Sequence, residues 1–343
     1  MTGIVTAMAR ETAEAPQAVA QFLNLETSNM AALGRRIADL NPPLIATCAR
    51  GSSDHASGFF KYALEIATGL PVASIGPSIA SIYEARLKLS GAVLVTISQS
   101  GKSPDLVALQ AAAKRSGALT VAFSNVDASP IAQAADVFIP LHAGPELSVA
   151  ATKSFVASTV AVATLVSDIS GDERLKAAIS RLPAYLREAL KCDWSAATET
   201  FRTATSLYTV GRGPTFAMAQ ETALKCKEIA ALHAEAFSMA EIMHGPLRLV
   251  EKGFPILAFA PDDRAAVANR DAIARLARTG ANVFSVSPLP MAGTPLPAIS
   301  TGHGVTDAIT MILSFYRFGE ALSRARGFDP DRPTNLAKVT ETI

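Results

Sequence analysis

Short apolar runs alternate along this chain with polar loops and helix-period stretches. Residues 44–49 (LIATCA) form the first run and end at the turn Arg50-Gly51-Ser52-Ser53. Residues 55–67 then carry helical spacing. The run at 93–97 (VLVTI) leads into SQSGKSP and a second helical stretch at 106–116. Residues 119–123 and 137–139 are further strand-length runs. Apolar segments this short, bounded by Gly, Pro and Ser and separated by helices, predict an α/β fold with a mainly parallel sheet flanked by helices on both faces.

The pattern occurs twice. TCARG ends at Gly51 and YTVGRG at Gly213, 162 residues later. GAVLVTIS starts at Gly91 and GFPILAFA at Gly253, again 162 apart, and Gly117 of KRSGALTVAFS answers Gly280 of ARTGANVFSVS at 163. A period this long indicates a duplicated domain and not a solenoid. The polar stretch 168–174 and a charged amphipathic helix at 175–190 put the junction near 170–195. The expected organisation is N-terminal helices over 1–35, one doubly wound domain over 36–180, a second over 195–326, and a tail over 327–343. The Asp-Pro and Arg-Pro steps of the tail favour extended backbone before a final turn or short helix.

Composition narrows the functional classes. The chain has 343 residues, 49% apolar and 18% charged, enough for two cores. A net charge of +1 gives no basic excess for nucleic acid, so any anion site must be local. Cys48, Cys192 and Cys226 are far apart, which argues against a disulfide framework and a zinc site and fits a reducing compartment. The N-terminus lacks the pattern of a signal peptide, and apolar stretches are broken well before 18 residues. A cytoplasmic protein with no membrane partner is expected.

The loop Ser98-Gln99-Ser100-Gly101-Lys102-Ser103 lies between a strand and a helix, at the carboxyl edge of the predicted sheet where ligands bind. Three hydroxyls, a glycine and a helix N-terminus make an anion cradle, whereas an ordinary cap needs one hydroxyl. Gly51, Ser52 and Ser53 offer a second wall. The corresponding second-half loop, Pro261-Asp262-Asp263-Arg264, is acidic and would repel phosphate. Glu221, Lys225 and Glu228 share one helix face. Such a stripe is ordinarily a solvated ion-pair row, but this one directly follows the turn Arg212-Gly213. A helical reading continues through His233, and His244, before Gly245-Pro246, falls at a helix end or loop suited to acid–base work.

ARGSSDHA (49–56), SQSGKSPD (98–105), ELSVAATKSF (146–155), ALKCKEIAALHAEAF (223–237), EIMHGPL (241–247) and PTNLAKVT (333–340) together resemble the sugar isomerase (SIS) superfamily, with two SIS domains in tandem. The closest likeness is to the isomerase half of glucosamine-6-phosphate synthase. The resemblance implies that Gly51, Ser52, Ser53, Ser98, Gln99, Ser100 and Ser103 hold the sugar phosphate and nearby hydroxyls, with Val149 and Ala150 as a backbone wall. It implies Glu228 as the base moving a proton between C1 and C2, with Lys225 beside it. It further implies His244 as the ring-opening group, supplied by the neighbouring subunit of a homodimer, and Lys338 as a tail lysine able to form a Schiff base. No metal or organic cofactor is implied.

Arg50 stands where the synthase has a cysteine, Ala151 where it has a serine, and position 2 is Thr and not a cysteine nucleophile. The expected activity is therefore a phosphosugar aldose–ketose isomerase/deaminase, glucosamine 6-phosphate giving fructose 6-phosphate and ammonia. Galactosamine-6-phosphate deaminase and fructosamine-6-phosphate deglycase are the enzyme alternatives, and a non-catalytic phosphosugar sensor is the alternative of another class.

Overall fold

The computed structural model describes residues 5–338. Chain packing separates two compact units. The first comprises Gln17–Glu146 and Lys153–Ser180, and the second comprises the residues through Pro16, Leu147–Thr152 and Arg181–Lys338.

In the first unit β1 (Ile45–Cys48), β2 (Val72–Ser74), β3 (Val93–Ser98), β4 (Leu119–Ser124) and β5 (Val137–Pro140) form one parallel sheet in the order β2-β1-β3-β4-β5. β1 and β3 are buried along their whole length, which explains their unbroken apolar runs. The short edge strand β2 carries no such signature, because two of its three residues are exposed. The chain leaves β1 and β3 in opposite directions across the sheet, so their carboxyl ends form a topological switch point.

The second unit has β6 (Ser206–Gly211), β7 (His233–Ser238), β8 (Pro255–Phe259), β9 (Asn282–Val286) and β10 (Thr294–Leu296), all parallel, in the order β10-β9-β8-β6-β7. Counted from its own first strand, this is the order of the first sheet. The duplication extends to dihedral angles: Gly51 has φ 55° and ψ −133°, and Gly213 has φ 60° and ψ −135°. That conformation is essentially restricted to glycine. Gly91 N–H donates to the Gly117 carbonyl at 3.2 Å, and Gly253 N–H to the Gly280 carbonyl at 2.8 Å.

Each unit is centred on a buried helix. Lys153–Ser170 packs on Ser52–Thr68 in the first, and Gly304–Ala325 packs on Pro214–Ala230 in the second. Their buried hydroxyls bond back to the preceding turn, as Ser158 does to the Ser154 carbonyl and Thr310 to that of Asp307. The N-terminal region is a single helix, Ala7–Leu40. Among the described residues no helix is long and apolar enough to cross a membrane.

One element departs from the sequence reading. The helix that carries Glu228 ends at Ala230, where Ala231 turns left-handed at φ 45°. His233 begins β7 and is not helical. The segment is rich in helix-favouring Ala and Glu, yet it pairs along its whole length with β6, from Ser206↔His233 to Gly211↔Ser238. Pairing with a central strand outweighs local propensity.

Candidate active site

In the first unit β3 delivers Ser98 to the sheet edge, and the loop turns back immediately. Gly101 N–H donates to Ser98 Oγ at 3.0 Å. The carbonyls of Gln99 and Gly101 accept from the N–H groups of Asn125 and Ile131, at 3.3 and 3.2 Å. Gly101 is at φ 64°, and a Cβ there would lie 2.2 Å from Ser129 Oγ, so glycine is required by conformation and by space. Pro104 opens the helix Pro104–Arg115, and the Ser103 side chain makes no capping bond. Gln99, Ser100 and Ser103 are half-buried at the mouth of this turn. Partly accessible hydroxyls at a helix N-terminus suit an anion.

The turn after β1 lies beside it, since β1 and β3 are paired neighbours. Gly51 caps the helix Ser52–Thr68 without a side-chain bond, and Ser52 and Ser53 in its first turn are half-buried. A connection between the turns has no counterpart in the sequence reading. Arg50 donates from Nε (2.9 Å) and Nη2 (2.8 Å) to the buried Asp105 carboxylate, which also accepts from Leu106 N–H at 2.8 Å. Arg50 therefore ties one loop of the switch point to the other.

In the second unit Lys225 lies between two carboxylates. Its Nζ is 2.7 Å from Glu228 Oε2 and 3.2 Å from Glu221 Oε1. Tyr316, from the buried helix Gly304–Ala325, donates to Glu221 at 3.0 Å. The stripe is not a solvated row. The side chains of Glu221 and Lys225 are 0% and 1% exposed, whereas Glu228 is 22% exposed and is the member a ligand can reach. Burial pushes the Lys225 ammonium toward losing its proton. The charges of Glu221 and Glu228 outweigh that, and its pKa stands above the ordinary lysine value. Lys225 thus remains a cation that orients Glu228.

The other predicted residues in this unit fall on three segments. His244 is exposed between the 3-10 turns Glu241–Met243 and Gly245–Leu249. Lys338 reaches the strap Leu147–Thr152 and donates from Nζ to the Ser148 carbonyl at 2.7 Å, beside Val149 and Ala150. Val149 is half-buried and Ala150 buried. Tyr316 and Glu11, whose carboxylate accepts from the strap, were not singled out from sequence, because each meets its partner across a long chain separation. Among the described residues no group of three or more His, Cys, Asp or Glu side chains could hold a metal ion.

The model of the SIS domain matches residues 42–167 and 200–293, over half of the chain and one segment in each sheet-bearing half. The chain belongs to the SIS domain family.

Among curated SIS relatives, the glutamine–fructose-6-phosphate aminotransferase [isomerizing] of Aeropyrum pernix is 35% identical over 267 residues, covering 72% of this chain and 43% of its own. The protein of the same name from Sulfurisphaera tokodaii is 30% identical over 337 residues, covering 97% and 56%. The chain thus spans about half the length of these relatives. A crystal structure from Silicibacter pomeroyi DSS-3, assigned provisionally as a phosphosugar isomerase, superimposes with a TM-score of 0.91 at 45% identity, covering 95% of this chain and all of that one.

Proposed function

We propose that this SIS protein is a phosphosugar aldose–ketose isomerase that acts as a deaminase, converting glucosamine 6-phosphate and water to fructose 6-phosphate and ammonia. The observation that carries the reading is the buried Lys225 clamped between Glu221 and Glu228, with only Glu228 accessible. Enzymes of this reaction class need one carboxylate, held in a fixed orientation, to carry a proton between adjacent carbons. The 45% identity to the provisionally assigned Silicibacter isomerase supports the same class.

The chemistry divides among named groups. His244, supplied by a second copy of the chain in a homodimer, opens the sugar ring. Glu228 removes the C2 proton of the open-chain aldehyde, and the C–H electron pair becomes the C1–C2 double bond as the aldehyde oxygen takes up a proton. Glu228 then returns its proton to C1 and leaves an imine at C2. Water adds to that imine and ammonia leaves. Lys225 is a positioning residue that holds the Glu228 carboxylate in one orientation. Ser98, Gln99, Ser100 and Ser103 recognise the phosphate, with Gly51, Ser52 and Ser53 adjoining. Val149 and Ala150 present backbone to the sugar, and Lys338 orients the open-chain substrate without requiring an adduct.

The test is a substrate panel on purified protein: glucosamine 6-phosphate, galactosamine 6-phosphate and fructoselysine 6-phosphate, assayed for released amine and ketose phosphate. Release of ammonia and fructose 6-phosphate from the first is the expected result. Tight binding with no turnover of any of them would replace the enzyme reading with phosphosugar sensing.

A further inference from the structure

The tail that carries Lys338 is tied to the beginning of the chain. The Asp331 carboxylate accepts from the N–H groups of Ala7 (2.6 Å) and Met8 (2.8 Å), the first two residues of the helix Ala7–Leu40. Those amides have no partner within the helix, and the helix dipole favours an anion there. Thr6 adds a bond from Oγ1 to Glu320 at 3.0 Å. One turn farther along the same helix, the buried Glu11 carboxylate accepts from the N–H groups of Leu147 and Ser148. The Ser148 carbonyl in turn receives Lys338 Nζ.

These bonds close a circuit within the second unit. It runs from Asp331 to the helix start, through Glu11 to the strap Leu147–Thr152, and from Ser148 to Lys338, seven residues beyond Asp331. The circuit also fixes backbone direction. The Ser148 carbonyl and the Val149 N–H belong to one planar trans peptide and point opposite ways. A lysine held on that carbonyl therefore sets where the Val149 N–H is aimed. Glu11 fixes the preceding peptide through Ser148 N–H, so both sides of Ser148 are constrained.

We propose that Glu11 and Asp331 are positioning residues: together they lock strap and tail so that Lys338 and the Val149 N–H are presented in one geometry. Neither touches substrate. The consequence for catalysis rests on the isomerase reading; the lock itself does not.

The experiment compares the full chain with Glu11→Ala, Glu11→Gln and Asp331→Asn, reading hydrogen exchange over 147–152 and 327–338 together with kcat and KM for the phosphosugar. Glu11→Ala should speed exchange in both segments by about tenfold, since the bonds that hold them closed are lost. It should lower kcat by about tenfold with little change in KM, because orientation and not phosphate capture is disturbed. Glu11→Gln keeps one acceptor oxygen and should recover part of both effects. Asp331→Asn should loosen the strap, which Asp331 does not contact, and it supplies the same test if Glu11→Ala does not fold. Wild-type exchange over 147–152 in Asp331→Asn would overturn the lock, and loosened segments with unchanged kcat would overturn the positioning role. Absence of turnover in the wild-type protein would instead overturn the isomerase reading, and the exchange data would still decide the lock.

Discussion

The Lys225 ammonium lies 2.7 Å from Glu228 Oε2, and the two side chains differ sharply in surroundings: lysine 1% exposed, glutamate 22%. A cation fixed in the interior holds a partly exposed carboxylate on the same helix. The arrangement keeps the carboxylate oriented and reachable at once, as a proton-transferring base must be.

Glu228→Gln preserves the shape and a bond acceptor for Lys225 but removes the basic oxygen. Turnover should fall by about 10²–10⁴-fold, the usual contribution of a positioned base, while phosphosugar binding measured by calorimetry stays within a few-fold. Activity retained within a few-fold would remove Glu228 from the role.

Lys225→Met takes the cation away from the buried Glu221 and should cost about 3–5 kcal/mol in urea unfolding, as breaking a buried ion pair does. Adding Glu221→Gln should restore part of the loss, because the remaining buried charge is then removed. The pH dependence has a definite sign. Folding raises the Lys225 pKa above 10.5, so its contribution is full below that pH and is lost as pH rises through the folded value. The stability gap between wild type and Lys225→Met should therefore narrow only in strongly alkaline solution.

Ser100→Ala combined with Ser103→Ala should weaken phosphorylated ligands selectively. Hydrogen bonds to a charged group are each worth about 1.5–3 kcal/mol, so an affinity loss of about a hundredfold or more is expected for the phosphate ester. An equal loss for the unphosphorylated sugar would contradict the cradle. Gly101→Ala should act in the same direction, since its Cβ would collide with Ser129.

Thiol labelling should follow burial. Cys226 is buried and its pKa is pushed up to about 12, and burial also raises Cys48. Cys192 is only half-buried. At pH 8 an aromatic disulfide reagent should modify Cys192 first in the folded protein, and the other two only on unfolding. Rapid reaction of all three in native buffer would show that the strand β1 and the helix Pro214–Ala230 open readily.

Much of the fold was legible because its signals are local. The strands β1 and β3 are buried on both faces, and they announce themselves as unbroken apolar runs before Arg50-Gly51-Ser52-Ser53 and SQSGKSP. The repeated glycines were legible because their backbone angles exclude other residues, and Gly51 and Gly213 share those angles to within a few degrees. The strands β2 and β7 were not, since one is short and exposed and the other is written in helix-favouring residues.

The sequence by itself determined the α/β class, the duplication, the serine-rich loop and the helical spacing of Glu221, Lys225 and Glu228. Spacing fixes which side chains share a helix face, and it says nothing about whether that face meets water. The tertiary structure decided that: the buried helix Gly304–Ala325 covers Glu221 and Lys225 and brings Tyr316 to them, leaving Glu228 accessible. The tail was decided the same way, since Asp331 at Ala7 and Lys338 at Ser148 join residues 324 and 190 positions apart. Contacts at such separations leave no local pattern, because only the folded chain brings the partners together.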